Sequence, residues 1–240
     1  MNDYNAEVNK TNIEKWNYYY INAEQKKTSP PWESSEVFHA LKDWLLEDSS
    51  YDESLLKFSI QKPFKIIELG SGASSSSIWL AQLGHEIYAL DISPEAIKRA
   101  KLFDMDNKVN WVEADILDEN LFNFNKEIQK ESFDIVFDLQ CFHVLRTVNS
   151  KRTCEVIFNL LKKGGKLMIV VGATLHPYTR DNPILSTENS NGPPKISIDD
   201  FLIPLTKVGL KAISIKLSRF NKTSSYGDSP PLCWVGIFEK

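Results

Sequence analysis

Ile66-Ile67-Glu68-Leu69-Gly70-Ser71-Gly72 joins a strand-like apolar run to a glycine turn, and Asp91 follows 19 positions after Gly72. Glycines let a backbone approach a ligand closely, and an acid at that remove meets sugar hydroxyls. Between the two, Ile78-Trp79-Leu80-Ala81-Gln82-Leu83 has helical character, and Ile87-Tyr88-Ala89-Leu90 is a second strand delivering Asp91-Ile92. This is the layout of a nucleoside-binding βαβ unit. A third strand, Val109-Asn110-Trp111-Val112-Glu113, runs into Ala114-Asp115-Ile116. A carboxylate there is placed to accept a hydrogen bond from an adenine amino group.

The charge of the turn narrows the nucleoside. Glu68 stands two positions before Gly70, and Ser75 occupies the place of a dinucleotide fingerprint's third glycine. A pyrophosphate would be repelled by Glu68, whereas a sulfonium or ammonium would be attracted. Glu68, Asp91 and Asp115 thus suit a ligand with a sugar, an adenine and a positive charge but no phosphate. S-adenosyl-L-methionine has those parts. The plain alternative is three solvated carboxylates at loop starts, which their register with a glycine turn disfavours. An NAD-linked oxidoreductase shares the βαβ logic, but Glu68 and the missing glycine argue against it.

Methyl transfer from a sulfonium is an in-line displacement that alignment and a dry pocket can drive. A thiol acceptor is already a few per cent thiolate at neutral pH and needs little or no base. An oxygen acceptor would need one. His143, just past the fourth strand, is the candidate base, with a packed helix-start histidine as the favoured alternative. Asp138 closes that strand and either meets the methionine portion or the acceptor, or caps the next helix. Trp32, fixed by Pro30-Pro31, either covers the adenine or sulfonium face or pins the N-terminal segment.

Positioning these groups requires a parallel sheet. Strands are expected at 65–69, 86–90, 109–113, 133–137 and 166–171, with helices near 74–83, 94–104 and 152–162. Such alternation implies a sheet covered on both faces. Runs at 210–218 and 232–238 are joined too briefly for a helical crossover and should pair antiparallel, after a helix near 198–208. Upstream, a short helix carries Ile13, Trp16 and Tyr20, and a second starts near Ser35; residues 48–62 read as a polar connection. The segment 172–198, with Tyr178, Arg180 and Asp181, is long enough to be a substrate lid.

Glu68-Leu69-Gly70-Ser71-Gly72, Leu90-Asp91-Ile92-Ser93, Glu113-Ala114-Asp115-Ile116 and Phe133-Asp134-Ile135-Val136-Phe137-Asp138 resemble successive motifs of the class I S-adenosylmethionine-dependent methyltransferases. Leu161-Lys162-Lys163-Gly164-Gly165-Lys166-Leu167 resembles their helix-to-strand turn. Ser74 departs from the pattern where its last glycine often stands. The resemblance implies an α/β fold: a Rossmann-like three-layer sandwich whose seven-stranded, mostly parallel sheet has an antiparallel last strand. Cofactor contacts are expected from Glu68, Gly70, Ser71, Gly72, Asp91, Ile92, Asp115 and Ile116, and from Trp32 if it covers the cofactor rather than pinning the N-terminal segment. Residues 64–240 would form the cofactor-binding domain, and residues 1–63 a helical extension covering the active site. Pro30-Pro31-Trp32-Glu33, Phe137-Asp138-Leu139-Gln140-Cys141-Phe142-His143-Val144-Leu145, Gly192-Pro193-Pro194 and Pro230-Pro231-Leu232-Cys233-Trp234-Val235 resemble the thiopurine, thiol and tellurite methyltransferases. A small-molecule acceptor, most simply a thiol or other soft nucleophile, is expected. Small-molecule O- or N-methylation, protein methylation and a binding-only protein are the alternatives.

Bulk properties agree. With 240 residues, 42% hydrophobic and 25% charged, the composition is that of an ordinary globular chain. A net charge of -4 gives no electrostatic case for a nucleic-acid partner. The three cysteines lack paired metal spacing and fit a reducing compartment, so no metal and a cytoplasmic location are expected. No run approaches membrane-spanning length. A monomer or homodimer is expected.

Overall fold

The computed structural model describes residues 2–45, 63–174 and 194–240. Two N-terminal helices, α1 (Asn2–Gln25) and α2 (His39–Leu45), precede an alternating series: β1 (Lys65–Leu69), α3 (Ser75–Gln82), β2 (Glu86–Asp91), α4 (Pro94–Phe103), β3 (Val109–Glu113), α5 (Leu121–Phe124), β4 (Phe133–Leu139), α6 (Phe142–Leu160) and β5 (Leu161–Ala173). A short β6 (Lys195–Ile196), α7 (Asp199–Lys207), β7 (Lys211–Arg219) and β8 (Leu232–Glu239) complete it. The sheet order is β3-β2-β1-β4-β5-β8-β7, with β6 beside β5. Strands β1 to β5 pair in parallel, and β8 alone runs antiparallel, between β5 and β7.

Strands buried on both faces read as unbroken apolar runs, because alternate residues serve opposite layers. Ile67, Leu69, Val136 and Ile169 join a core with Phe142, Ile157 and Phe201 from α6 and α7. Their neighbours Ile66, Ile135, Phe137 and Met168 join a second core with Leu41 and Trp44 of α2 and Leu80 of α3. Parallel pairing brings the carboxyl ends of β1 to β4 to one edge. The strand order reverses beside β1, the place where open α/β sheets bind ligands.

The N-terminal segment is tied down over this edge. Ser93 Oγ donates to Asn17 Oδ1 at 2.6 Å, joining α4 to α1. Arg99 of α4 grips both oxygens of Glu33 at 2.7 and 2.6 Å and reaches Ser29 Oγ at 3.2 Å. From the other side, Asn221 Nδ2 donates to the carbonyls of Glu36 and Val37, and Thr223 Oγ1 to that of Pro31.

Several elements differ from the sequence expectation. Helix α6 begins ten residues earlier than expected, at Phe142, and breaks at Asn149 (φ -155°, ψ 86°). Asn149 Oδ1 accepts from Arg152 N at 3.0 Å, so the expected helix is the second half, started by its own cap. The expected stop at Lys163-Gly164-Gly165-Lys166 lies inside β5. Gly164 N donates to the Lys240 carbonyl and Lys240 N to that of Gly165, so the turn is absorbed into the ladder. Helix α1 is far longer than the short helix expected, α2 starts at His39 rather than Ser35, and β6 was not foreseen. The 48–62 connection and most of the 172–198 segment, with Tyr178, Arg180 and Asp181, lie outside the described residues.

The Arg99–Glu33 pair is a bidentate, half-buried clamp, and removing one partner strands the other charge. Arg99→Ala should lower stability by about 1–2 kcal/mol after allowance for solvent screening, read as a reduced urea midpoint.

Candidate active site

The turn after β1 needs glycine twice. Gly70 and Gly72 have φ of +60° and +54°, a region where L side chains are strained. Space is lacking too: a Cβ on Gly70 would lie 2.3 Å from Cys141 Sγ, and one on Gly72 2.5 Å from Tyr20 Oη. Ser71 N donates to the Leu90 carbonyl at 2.8 Å, stitching the turn to β2. Ser74, the departure from the family pattern, caps α3 by accepting from Ser77 N at 3.0 Å.

Three carboxylates stand at the ends of adjacent strands. Glu68 is buried and accepts from Ser77 Oγ at 2.5 Å. Burial pushes its carboxyl from 4.5 up to about 7, against the Ser74 and Ser77 hydroxyls and with the nearby Asp138 and Asp91 charges. Asp91 is held by Gly72 N at 2.8 Å and Ser93 N at 2.9 Å, yet burial still raises it. Asp115 accepts from Leu117 N at 2.8 Å through Oδ1, while its buried Oδ2 has no partner among the described residues. Burial raises this group as well.

These acids, the turn Gly70-Ser71-Gly72, and Ile92 and Ile116 line one cavity of about 690 Å³. That volume is typical of a small-molecule site. The glycine cradle that a Cβ would fill, and the unpartnered Asp115 Oδ2, fit an adenosyl cofactor bearing positive charge.

The start of α6 and the N-terminal segment also line the cavity. His143 is buried against the cavity, and its Nδ1 accepts from Gly172 N at 3.3 Å. The ring proton therefore sits on Nε2. Burial, aided by the Arg146 charge, lowers its pKa to about 3. Asp138 is fully buried, lies outside the cavity lining, and accepts at Oδ1 from Cys141 N and Phe142 N at 3.0 Å each. Its geometry is that of a cap for α6. Burial raises it to about 7.

Trp32 lies in the cavity wall, packed edge-on to Trp16 and Tyr19 at 5.4 and 5.2 Å, and donates from Nε1 to Tyr20 Oη at 3.3 Å. Tyr20, Gln140 and Cys141 also line the cavity, though the sequence did not mark them as site residues. Tyr20 was read as a helix residue, and Gln140, with φ +71°, and Cys141 lay inside the Phe137–Leu145 stretch of resemblance. Among the described residues no His, Cys, Asp and Glu cluster could hold a metal ion, and no helix is long and apolar enough to cross a membrane.

A carboxyl raised in the fold binds its proton more tightly than in the unfolded chain, so stability falls as pH rises. For Glu68 the window runs from about 4.5 to about 7. Asp138 adds the same sign from 3.8 to about 7. Between pH 5 and 8, Glu68→Gln should gain up to about 3 kcal/mol on the native sequence in urea unfolding. A difference independent of pH would refute this.

Comparison with known proteins agrees with this geometry. The family described as "Methyltransferase domain" matches residues 67–169. The ubiquinone biosynthesis O-methyltransferase of Xanthomonas euvesicatoria is 30% identical over 106 residues, 44% of this chain and 41% of that protein. The match thus spans less than half the length of the curated relatives. A structure solved in work on conversion of a disulfide bond into a thioacetal group during echinomycin biosynthesis aligns with a TM-score of 0.69 at 20% identity, covering 95% of this chain and 92% of that one. The Burkholderia thailandensis 1,6-didemethyltoxoflavin-N1-methyltransferase, solved with S-adenosylhomocysteine, aligns with a TM-score of 0.58 at 12% identity, covering 99% and 89%. At these identities the structural likeness concerns the fold. Residues 67–169 thus match a methyltransferase domain, and the fold around them is that of the solved methyltransferases.

Proposed function

We propose that the protein transfers a methyl group from S-adenosyl-L-methionine to a small soft nucleophile, most simply a thiol. When bound, the cofactor supplies an electrophilic methyl group on a sulfonium. Gly70-Ser71-Gly72 admits it closely, Asp91 engages the ribose hydroxyls, and Asp115 Oδ2 accepts from the adenine amino group. Ile92 and Ile116 offer apolar surface to the base. Glu68 supplies negative charge near the cationic end, and Trp32 contributes to the cavity wall. Within the expected N-terminal extension, residues between Asn12 and Phe38 contribute to the cavity lining.

The observation that supports a soft acceptor is the state of His143. Its Nδ1 is occupied by Gly172 N–H, so Nε2 presents a hydrogen and has no lone pair with which to take a proton. A site without a ready base favours an acceptor that ionises by itself. Asp138 then acts by capping the helix that carries Cys141 and His143, not by touching the acceptor. Valines and leucines of α6 (Val144, Leu145, Val148), with Phe220 and Tyr226, give the cavity an apolar wall suited to a hydrophobic acceptor.

The relatives do not choose among acceptors, since their names specify oxygen in one case and nitrogen in another. The O-methylation alternative requires His143 to change tautomer and lose Gly172. A panel of thiols, phenols and amines, followed by S-adenosylhomocysteine release, separates the readings. Thiols should turn over fastest, and His143→Ala should retain their rate within a few fold. A loss of roughly 10²–10⁴-fold would make His143 a base and favour oxygen. Asp91→Ala should weaken cofactor binding by about 1–3 kcal/mol in calorimetry; unchanged affinity would remove it from the site.

A further inference from the structure

The cavity has an electrostatic asymmetry that its acids alone cannot resolve. S-adenosylmethionine carries a carboxylate beside its ammonium group, and Glu68, Asp91 and Asp115 repel that carboxylate as surely as they attract the cation. Among the described lining residues the one cation is Lys15, an exposed side chain whose Nζ lies 5.3 Å from the Trp16 ring centroid. The carboxylate therefore calls for neutral donors elsewhere in the cavity lining.

Tyr20 and Trp32 are built as such donors. Tyr20 is 5% exposed, and its Oη stands 2.5 Å from where a Cβ of Gly72 would be, so the hydroxyl lies against the glycine turn. Trp32 Nε1 donates to that oxygen at 3.3 Å, which uses the oxygen as acceptor and leaves its own proton to give. Each Asp91 oxygen accepts a backbone N–H, from Gly72 and from Ser93, and the Tyr20 hydroxyl makes no hydrogen bond to either. The hydroxyl is held protonated: burial first, and the Asp91 charge second, push its pKa upward. Both residues are placed by α4, through Asn17–Ser93 and Arg99–Glu33, so the donor pair is rigid.

Resting on the methyltransferase function proposed above, we infer that the Tyr20 hydroxyl, oriented by Trp32 N–H, donates to the α-carboxylate of S-adenosylmethionine and is a cofactor-recognition residue. The chain of donors runs from indole to phenol to carboxylate, each step strengthening the next. It also couples the N-terminal segment to the cofactor, since Tyr20 lies on α1 and Trp32 on the segment after it.

Calorimetric titration of native protein, Tyr20→Phe and Trp32→Phe with S-adenosylmethionine and with its decarboxylated analogue tests this without reference to turnover. Tyr20→Phe should weaken S-adenosylmethionine roughly tenfold and leave the analogue within about twofold of native. Trp32→Phe should show the same ligand dependence with a smaller loss. Equal losses for both ligands, or no loss for either, would reduce the pair to packing and overturn the inference. Failure of the native protein to bind S-adenosylmethionine would instead strike at the proposed function itself.

Discussion

The close approach of three elements at the turn after β1 governs everything around it. Cys141 from the start of α6 and Tyr20 from α1 both press on backbone that carries no side chain, at Gly70 and Gly72. Positive φ at both glycines turns the chain from β1 toward α3 in the space of a few residues. Any Cβ there would push away either the helix bearing His143 or the helix bearing Tyr20. The two glycines therefore set the distance between the cofactor cradle and both walls of the cavity.

Around that turn the fold keeps carboxylates where water is scarce. Glu68 and Asp138 are raised to about 7 by burial, and Asp91 and Asp115 are raised as well. Without a ligand this is a cost, because each ionised group has been stripped of water. A cationic ligand offsets that cost, so part of the binding energy comes from relieving strain the apo-protein already carries. The backbone N–H groups of Gly72, Ser93 and Leu117 hold two of these acids in orientation, leaving the remaining acceptor capacity for a ligand.

His143 and Asp138 show how position in sequence and chemical role separate. Asp138 stands near the end of β4 and His143 just past it, at the start of α6. Yet Asp138 turns into the first turn of α6, and His143 points a lone pair at β5. Asp138 satisfies N–H groups at the β4-to-α6 junction, and His143 satisfies that of Gly172 in β5. What remains for catalysis is alignment within an apolar wall, which suits a reaction that needs little proton transfer.

The amino-acid sequence by itself determined the parallel sheet, the glycine turn and the spacing of Glu68, Asp91 and Asp115 at successive strand ends. These depend on short-range periodicity: apolar runs of strand length, caps such as Ser93 before Pro94, and turn residues at fixed offsets. It also carried the antiparallel terminal pair, because the 210–218 and 232–238 runs are too close for a crossover. Only the tertiary structure decided that the first half of α6 is helical, since its polar stretch from Arg146 to Asn149 gains stability from Asp138 and from Phe142 in the core. Likewise the contact of Tyr20 with Gly72, the tautomer of His143 set by Gly172, and the clamp of Arg99 on Glu33 join residues 29 to 66 positions apart. No local pattern encodes such contacts, because they arise from where packed layers bring distant backbone together.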